Sequence, residues 1–293
     1  MEFVKEAKDY SLEMFRRMCV VRYFEQSVAR VYDTGVIGCP VYLSVGQESI
    51  PAALSMSFPH PNIFAQHRAH GFYLSYGGSV VKLIDELLHL PSGCAGGMGG
   101  SASIHCPEIK MFGHDGLMGT QVPIGVGYAM ATGEKTLVVL GDANVEEDYV
   151  LSALGFAATH KPPVLFVCTD NGVAVLTEIG ERRSWNLVQH ANFGMLAENI
   201  SDDPWLIVSL VKELSDKLPA ILNIHTCRIS SHAGTRKDSL KLPEWNRFDL
   251  VRNTLMTENW KAEVLAIESV SKKWVENLWQ SRLEELNAAR KAY

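Results

Sequence analysis

Asp142 and Asn171 are residues whose types and positions could do chemistry. Each stands at the polar end of a short apolar run, TLVVLGD at 136–142 and PPVLFVCTDN at 162–171, and the two are 29 residues apart. If these runs are adjacent parallel strands, both tips reach one edge of the sheet. Ligands of open parallel sheets bind beyond the carboxyl ends of the strands. A carboxylate, an amide oxygen and a nearby backbone carbonyl are hard oxygen donors. Magnesium takes few such protein ligands and completes its octahedron with phosphate oxygens and water. The spacing alone leaves a second reading open, because Asp and Asn are also common turn residues at strand ends.

The elements that must hold these tips follow from the apolar pattern. Both runs lack the alternation of a half-exposed strand, so they read as buried parallel strands. VEEDYVLSALGFAATH (145–160) between them reads as a helix capped by Asn144, which completes a βαβ unit. A further strand is expected in PAILNIHTCRI (219–229), after a helix near 204–217. TQVPIGVGYAMATG (120–133) carries Gly125, Gly127, Ala129 and Ala131, which suits a buried helix closely approached by a neighbour. VVKLIDELLHL (80–90) reads as a helix closed by Pro91. SGCAGGMGGSAS (92–103) must be irregular, since each glycine would cost a helix about 1 kcal/mol. Apolar residues at three- and four-residue steps predict a helix over 3–33, ended by Gly35. The tail from Thr257 to Ala292 reads as helical, with Trp260, Trp274 and Trp279 mostly on its apolar side. The expected fold class is α/β: one domain over 1–293, a parallel sheet flanked by helices, with a helical extension at each end.

Composition removes other classes. The 293 residues are 47% apolar and 20% charged, which excludes disorder and fibre. With 27 basic against 33 acidic residues the net charge is −6, so general binding to nucleic acid or an anionic membrane is not expected. No apolar run approaches the ~18–20 residues that span a bilayer. The start reads as a helix and not as a signal peptide. The six scattered cysteines form no CxxC pair, which suggests reduced thiols, no zinc site and a cytoplasmic location. GGMGGS follows a helix and GVGYAM lacks the last glycine, so neither is a dinucleotide fingerprint.

The stretch GDANVEEDYVLSALGFAATHKPPVLFVCTDN resembles the thiamine diphosphate motif, which begins Gly-Asp-Gly and ends Asn-Asn. With LSVGQES, HRAHGF, GGMGGSASIHCPE, HDGLMGTQVPIGVGYA and CRISSHAG in order, nearly the whole chain is similar to the alpha subunit of the decarboxylating component of 2-oxo acid dehydrogenases, of the pyruvate and acetoin dehydrogenase type. The resemblance implies a thiamine diphosphate-binding fold, specifically the diphosphate-binding domain, with thiamine diphosphate and Mg2+ as cofactors. It implies Asp142, Asn171 and the carbonyl of Val173 as metal ligands, with Gly141 and Ala143 beside them. Arg68 stands where the family contacts the diphosphate, and His67 stands where the family has a tyrosine. Gly116 and Met118 match the turn that holds the aminopyrimidine. Val175 matches a residue bracing the bent cofactor. Arg228 and His232 match a loop closing over diphosphate and substrate. His70 and His232 are the implied catalytic imidazoles.

Several positions depart from the family pattern. Ala143 replaces the second glycine of Gly-Asp-Gly, which is tolerable if its φ stays negative. Ser103 and Ser230 stand where the family carries histidines. The glutamate that activates the aminopyrimidine belongs, in family terms, to a second domain, and about 290 residues hold one such domain. Glu48 falls in a diphosphate-side motif and is not assigned that role. The resemblance therefore implies a separate beta subunit, an α2β2 assembly, a small-molecule 2-oxo acid substrate and a lipoyl acyltransferase as acceptor. A carboligase or non-oxidative decarboxylase that passes the unit to another electrophile is the alternative, and a non-catalytic subunit is a third reading.

Overall fold

The computed structural model describes residues 8–190, 194–236 and 245–291. A six-stranded sheet runs β2-β1-β3-β4-β8-β7, with every pairing parallel. Its strands are β1 (Asn62–Phe64), β2 (Met111–Phe112), β3 (Thr136–Gly141), β4 (Val164–Asp170), β7 (Leu196–Ser201) and β8 (Ala220–His225). A small antiparallel hairpin, β5 (Val173–Ala174) and β6 (Thr177–Glu178), follows β4. The helices used below are α1 (Lys8–Tyr32), α2 (Ser49–Ser57), α3 (His70–Ser75), α4 (Val80–Leu87), α5 (Gln121–Thr132), α6 (Asp148–His160), α7 (Ile179–Arg182), α8 (Leu187–His190), α9 (Pro204–Leu214), α10 (Arg247–Thr257) and α11 (Lys261–Lys291).

The two apolar runs are neighbours, with Thr136 opposite Val164 and Gly141 opposite Thr169. Successive residues of a strand point to opposite faces. Leu137, Val139, Leu165 and Val167 join the core with α1, α2 and α9, while Val138, Leu140, Phe166 and Cys168 join a second core with α5 and α6. Burial on both faces explains why neither run alternates. Gly125 of α5 is required by close approach: a Cβ there would lie 2.6 Å from Val138.

Three expectations change. Asn144 does not cap α6; it opens a short 3-10 turn at Asn144–Glu146, and its Nδ2 donates to Gln66 Oε1 at 2.9 Å. The helix begins at Asp148 after Glu147, which makes no side-chain cap bond. The C-terminal tail is the single long helix α11 over its described residues, but on it Trp274 is exposed whereas Trp279 is buried. The six cysteines are all free thiols. No helix among the described residues is long and apolar enough to cross a membrane.

Candidate active site

A cleft opens at the carboxyl ends of β1, β3 and β4. Its lining includes Asp142, Asn171, Val173 and Val175 together with His67, Arg68, Arg228 and His232. Met118, Gly141 and Ala143 also line it. Ala143 has φ −79°, so the departure from glycine carries no backbone strain. Gly116 has φ +95° and open space where a Cβ would go, so the HDGLMG segment turns tightly there. Tyr149 donates its hydroxyl to the Met118 carbonyl and ties that turn to α6.

The strand-tip carboxylates sit in low dielectric. Burial, and then the neighbouring Asp170, push the Asp142 carboxyl up to about 6, against the opposing pull of Arg182 and Arg183. Arg182 Nη2 donates to Asp142 Oδ2 at 2.5 Å, and Arg183 Nη1 donates to the Asp142 carbonyl at 2.5 Å. Both guanidinium groups also meet Glu146. Asp170 shapes the following turn: its Oδ1 accepts from Gly172 N at 3.0 Å and its Oδ2 from Asn223 Nδ2 at 2.9 Å. The turn leads into Val175, a β-branched residue at φ +54°, a conformation that costs about 1–3 kcal/mol. Arg228 Nη2 donates to the Val175 carbonyl at 2.8 Å and holds it there.

Two guanidinium groups, Arg68 and Arg228, line the same cleft. Burial, and then Arg68, His232, His114 and Arg228, depress the His67 imidazole to about 2, and its Nδ1 is buried without a hydrogen-bond partner. Arg68 donates to the Leu43 carbonyl and, at 3.2 Å, to the His232 carbonyl. The His67 and His232 rings lie 5.3 Å apart, and Tyr42 meets both edge-on at 4.8 and 5.6 Å.

His70 is placed elsewhere. It is fully buried and outside the cleft lining, with Nδ1 3.0 Å from Glu25 Oε2 and Nε2 2.9 Å from Ser101 Oγ. Both ring nitrogens are spent on holding α1, α3 and the glycine-rich segment together, so the structure does not bring His70 to the reaction centre. That segment is itself built on one carboxylate. Glu86 of α4 accepts from the amides of Ala95 and Gly97 at 2.7 and 2.9 Å, and from those of Gly99 and Gly100 at 2.7 and 3.0 Å. Glu48 is fully buried in an ion pair with Arg22 and is not part of the cleft lining. Sequence reasoning missed Tyr42, His114, Arg182 and Arg183. Only His114, inside the quoted HDGLMG stretch, carried a signal: an extra imidazole close to a position that lacks one.

The match to known proteins covers this ground. The dehydrogenase E1 component family matches residues 16–241, which contain the strand tips, the cationic residues of the cleft and the glycine-rich segment. The chain belongs to that family. As a dehydrogenase E1 component it is 31% identical to the pyruvate dehydrogenase E1 component subunit alpha of Zymomonas mobilis, over 76% of this chain and 67% of that one. It is 25% identical to the subunit of the same name from Rickettsia conorii, over 92% of this chain and 90% of that one. A transketolase from Campylobacter jejuni shares the fold at TM-score 0.58 and 13% identity; the match covers 94% of this chain and 48% of that one. The E1 component described here is thus a thiamine diphosphate-dependent 2-oxo acid dehydrogenase component of the alpha-subunit kind, on a parallel-sheet fold shared with transketolase.

The site fits its cofactor by donor chemistry. A diphosphate would satisfy the orphaned His67 Nδ1 and relieve the mutual repulsion of the cations around it. The oxygens of Asp142, Asn171 and Val173 are hard donors that suit a magnesium ion. Among the described residues no group of three or more His, Cys, Asp and Glu side chains is set to hold a metal. A cation that takes most of its shell from phosphate and water needs no such group.

Proposed function

We propose that this chain binds thiamine diphosphate with Mg2+ in the cleft and, joined to a beta subunit in an α2β2 assembly, decarboxylates a 2-oxo acid and passes the acyl unit to a lipoyl acyltransferase. The observation that carries the reading is one cleft shared by oxygen donors and cations. Oxygen donors at the tips of β3 and β4 line the same cleft as Arg68, Arg228, His67 and His232. Asp142, Asn171 and the Val173 carbonyl would hold the cation. Arg68 and Arg228 would clamp the phosphates, and Val175 would brace the ring system. The bound cofactor supplies the nucleophilic carbon and the electron sink that decarboxylation needs. His232, at the mouth beside Tyr42, would hold or deliver a proton at the substrate's oxo oxygen.

Support for the partner comes from the cleft lining, whose one carboxylate among the described residues is Asp142, at the strand tip. Glu25, Glu48 and Glu86 are fully buried and already hydrogen-bonded within this chain. The test is reconstitution. The chain alone should release no carbon dioxide from pyruvate, and the chain with its co-purifying beta subunit should do so. Turnover by the chain alone would show that the activating glutamate lies within it.

A further inference from the structure

His114 is the most conspicuous buried group that the reading above leaves unused. It is 5% exposed, and neither Nδ1 nor Nε2 has a hydrogen-bond partner. Its nearest acid, Asp115, lies 3.9 Å from Nδ1, too far for a hydrogen bond. A buried imidazole with both nitrogens orphaned destabilises the fold, and such groups persist where function needs them.

Its position is specific. The His114 ring lies 6.5 Å from that of His67, a cleft-lining residue whose ring is 5.3 Å from that of His232. Ser103 Oγ donates to the His114 carbonyl and fixes the backbone there. His114 lines a recess with Phe64, His105, Phe112 and Gln121, and Gln121 Oε1 is also buried without a partner.

We propose that His114 is a substrate-recognition residue, hydrogen-bonding the carboxylate or oxo oxygen of the 2-oxo acid from the recess beside His67. The proposal rests on the decarboxylase reading of the cleft. Burial holds the imidazole below its usual pKa, so at pH 7 it is neutral and presents one N–H donor and one bare acceptor. The two unsatisfied nitrogens, and Gln121 Oε1 beside them, are completed when the substrate's oxygens and an accompanying water enter the recess.

The test uses the chain with its beta subunit, thiamine diphosphate and Mg2+. The probe is the methyl acetylphosphonate analogue of pyruvate, whose carbon–phosphorus bond is not cleaved. His114→Leu and His114→Asn are each expected to weaken analogue binding by calorimetry about tenfold or more, with cofactor affinity within about twofold. His114→Leu is also expected to raise the melting temperature, because an apolar side chain removes the orphaned nitrogens. A core role moves these readouts oppositely: lower melting with analogue affinity kept. Unchanged analogue affinity in both variants overturns the proposal and leaves the decarboxylase reading intact. Wild-type protein that binds cofactor but no analogue overturns both.

Discussion

Arg182 Nη2 lies 2.5 Å from Asp142 Oδ2, so the strand-tip carboxylate offered to a divalent cation carries a guanidinium. A metal ion must displace that guanidinium to take the same oxygen. Arg182→Ala is therefore expected to tighten Mn2+ binding roughly tenfold in a paramagnetic titration. The metal-free variant should melt earlier, since the Asp142 charge is left buried with less compensation. Weaker Mn2+ binding in the variant would mean that Arg182 serves the loaded site instead.

His70 and His232 should separate cleanly. His70→Ala removes the link between Glu25 and Ser101 and strands a buried carboxylate, so a loss of about 3–5 kcal/mol in unfolding free energy is expected. Turnover per folded molecule should stay within a few-fold. His232→Ala should leave melting nearly unchanged and slow turnover by ~10²–10⁴. Denaturant melts and single-turnover rates on the same preparations check both, and slow turnover by well-folded His70→Ala protein would return that residue to the chemistry.

The strand tips at 142 and 171 were legible in sequence because their strands are buried on both faces and read as unbroken apolar runs. β1 and β2 were not legible: three and two residues give no periodicity. β7, LAENIS, is mostly exposed at the sheet edge and carries no apolar signature. The resemblance brought His67, Arg68, Arg228 and His232 to one cleft by their places in ordered motifs, yet it carried His70 there too. Spacing along a helix says which face a residue occupies, not which partner it finds. Glu25 and Glu86 lie in helices and Glu48 just before one, and each is fully buried and accepts backbone amides of a loop.

Glu86 gives the sharpest stability test of that point. Its carboxylate accepts four backbone amides of the glycine-rich segment. Glu86→Gln keeps the shape but removes the charge and turns one acceptor into a donor facing N–H groups. A loss of about 2–4 kcal/mol by urea unfolding is expected. Unchanged stability would show that the segment is held by other contacts.

The cations around His67 predict an acid limit. The His67 imidazole is held near 2 when folded, below the 6.5 of an unperturbed histidine, so between these values the unfolded chain binds the extra proton. Stability contributed by His67 is complete above about pH 6.5 and is lost as pH falls, at ~1.4 kcal/mol per pH unit for one proton. His67→Gln should flatten the decline between pH 6 and pH 4 in cofactor-free protein, measured by urea midpoints. Identical slopes would place the charge of His67 in solvent.

In the proposed reading thiamine diphosphate is held in the cleft through a cation on Asp142. Calorimetric titration of thiamine diphosphate with Mg2+ into the assembled chain and beta subunit, wild type against Asp142→Ala, tests it most directly. The expected result is saturable binding in the wild type that requires the metal, and at least about a hundredfold weaker binding in a variant that keeps its fold, consistent with a lost ligand at a strand tip. Equal affinity in the two proteins, or binding indifferent to Mg2+, would contradict the account.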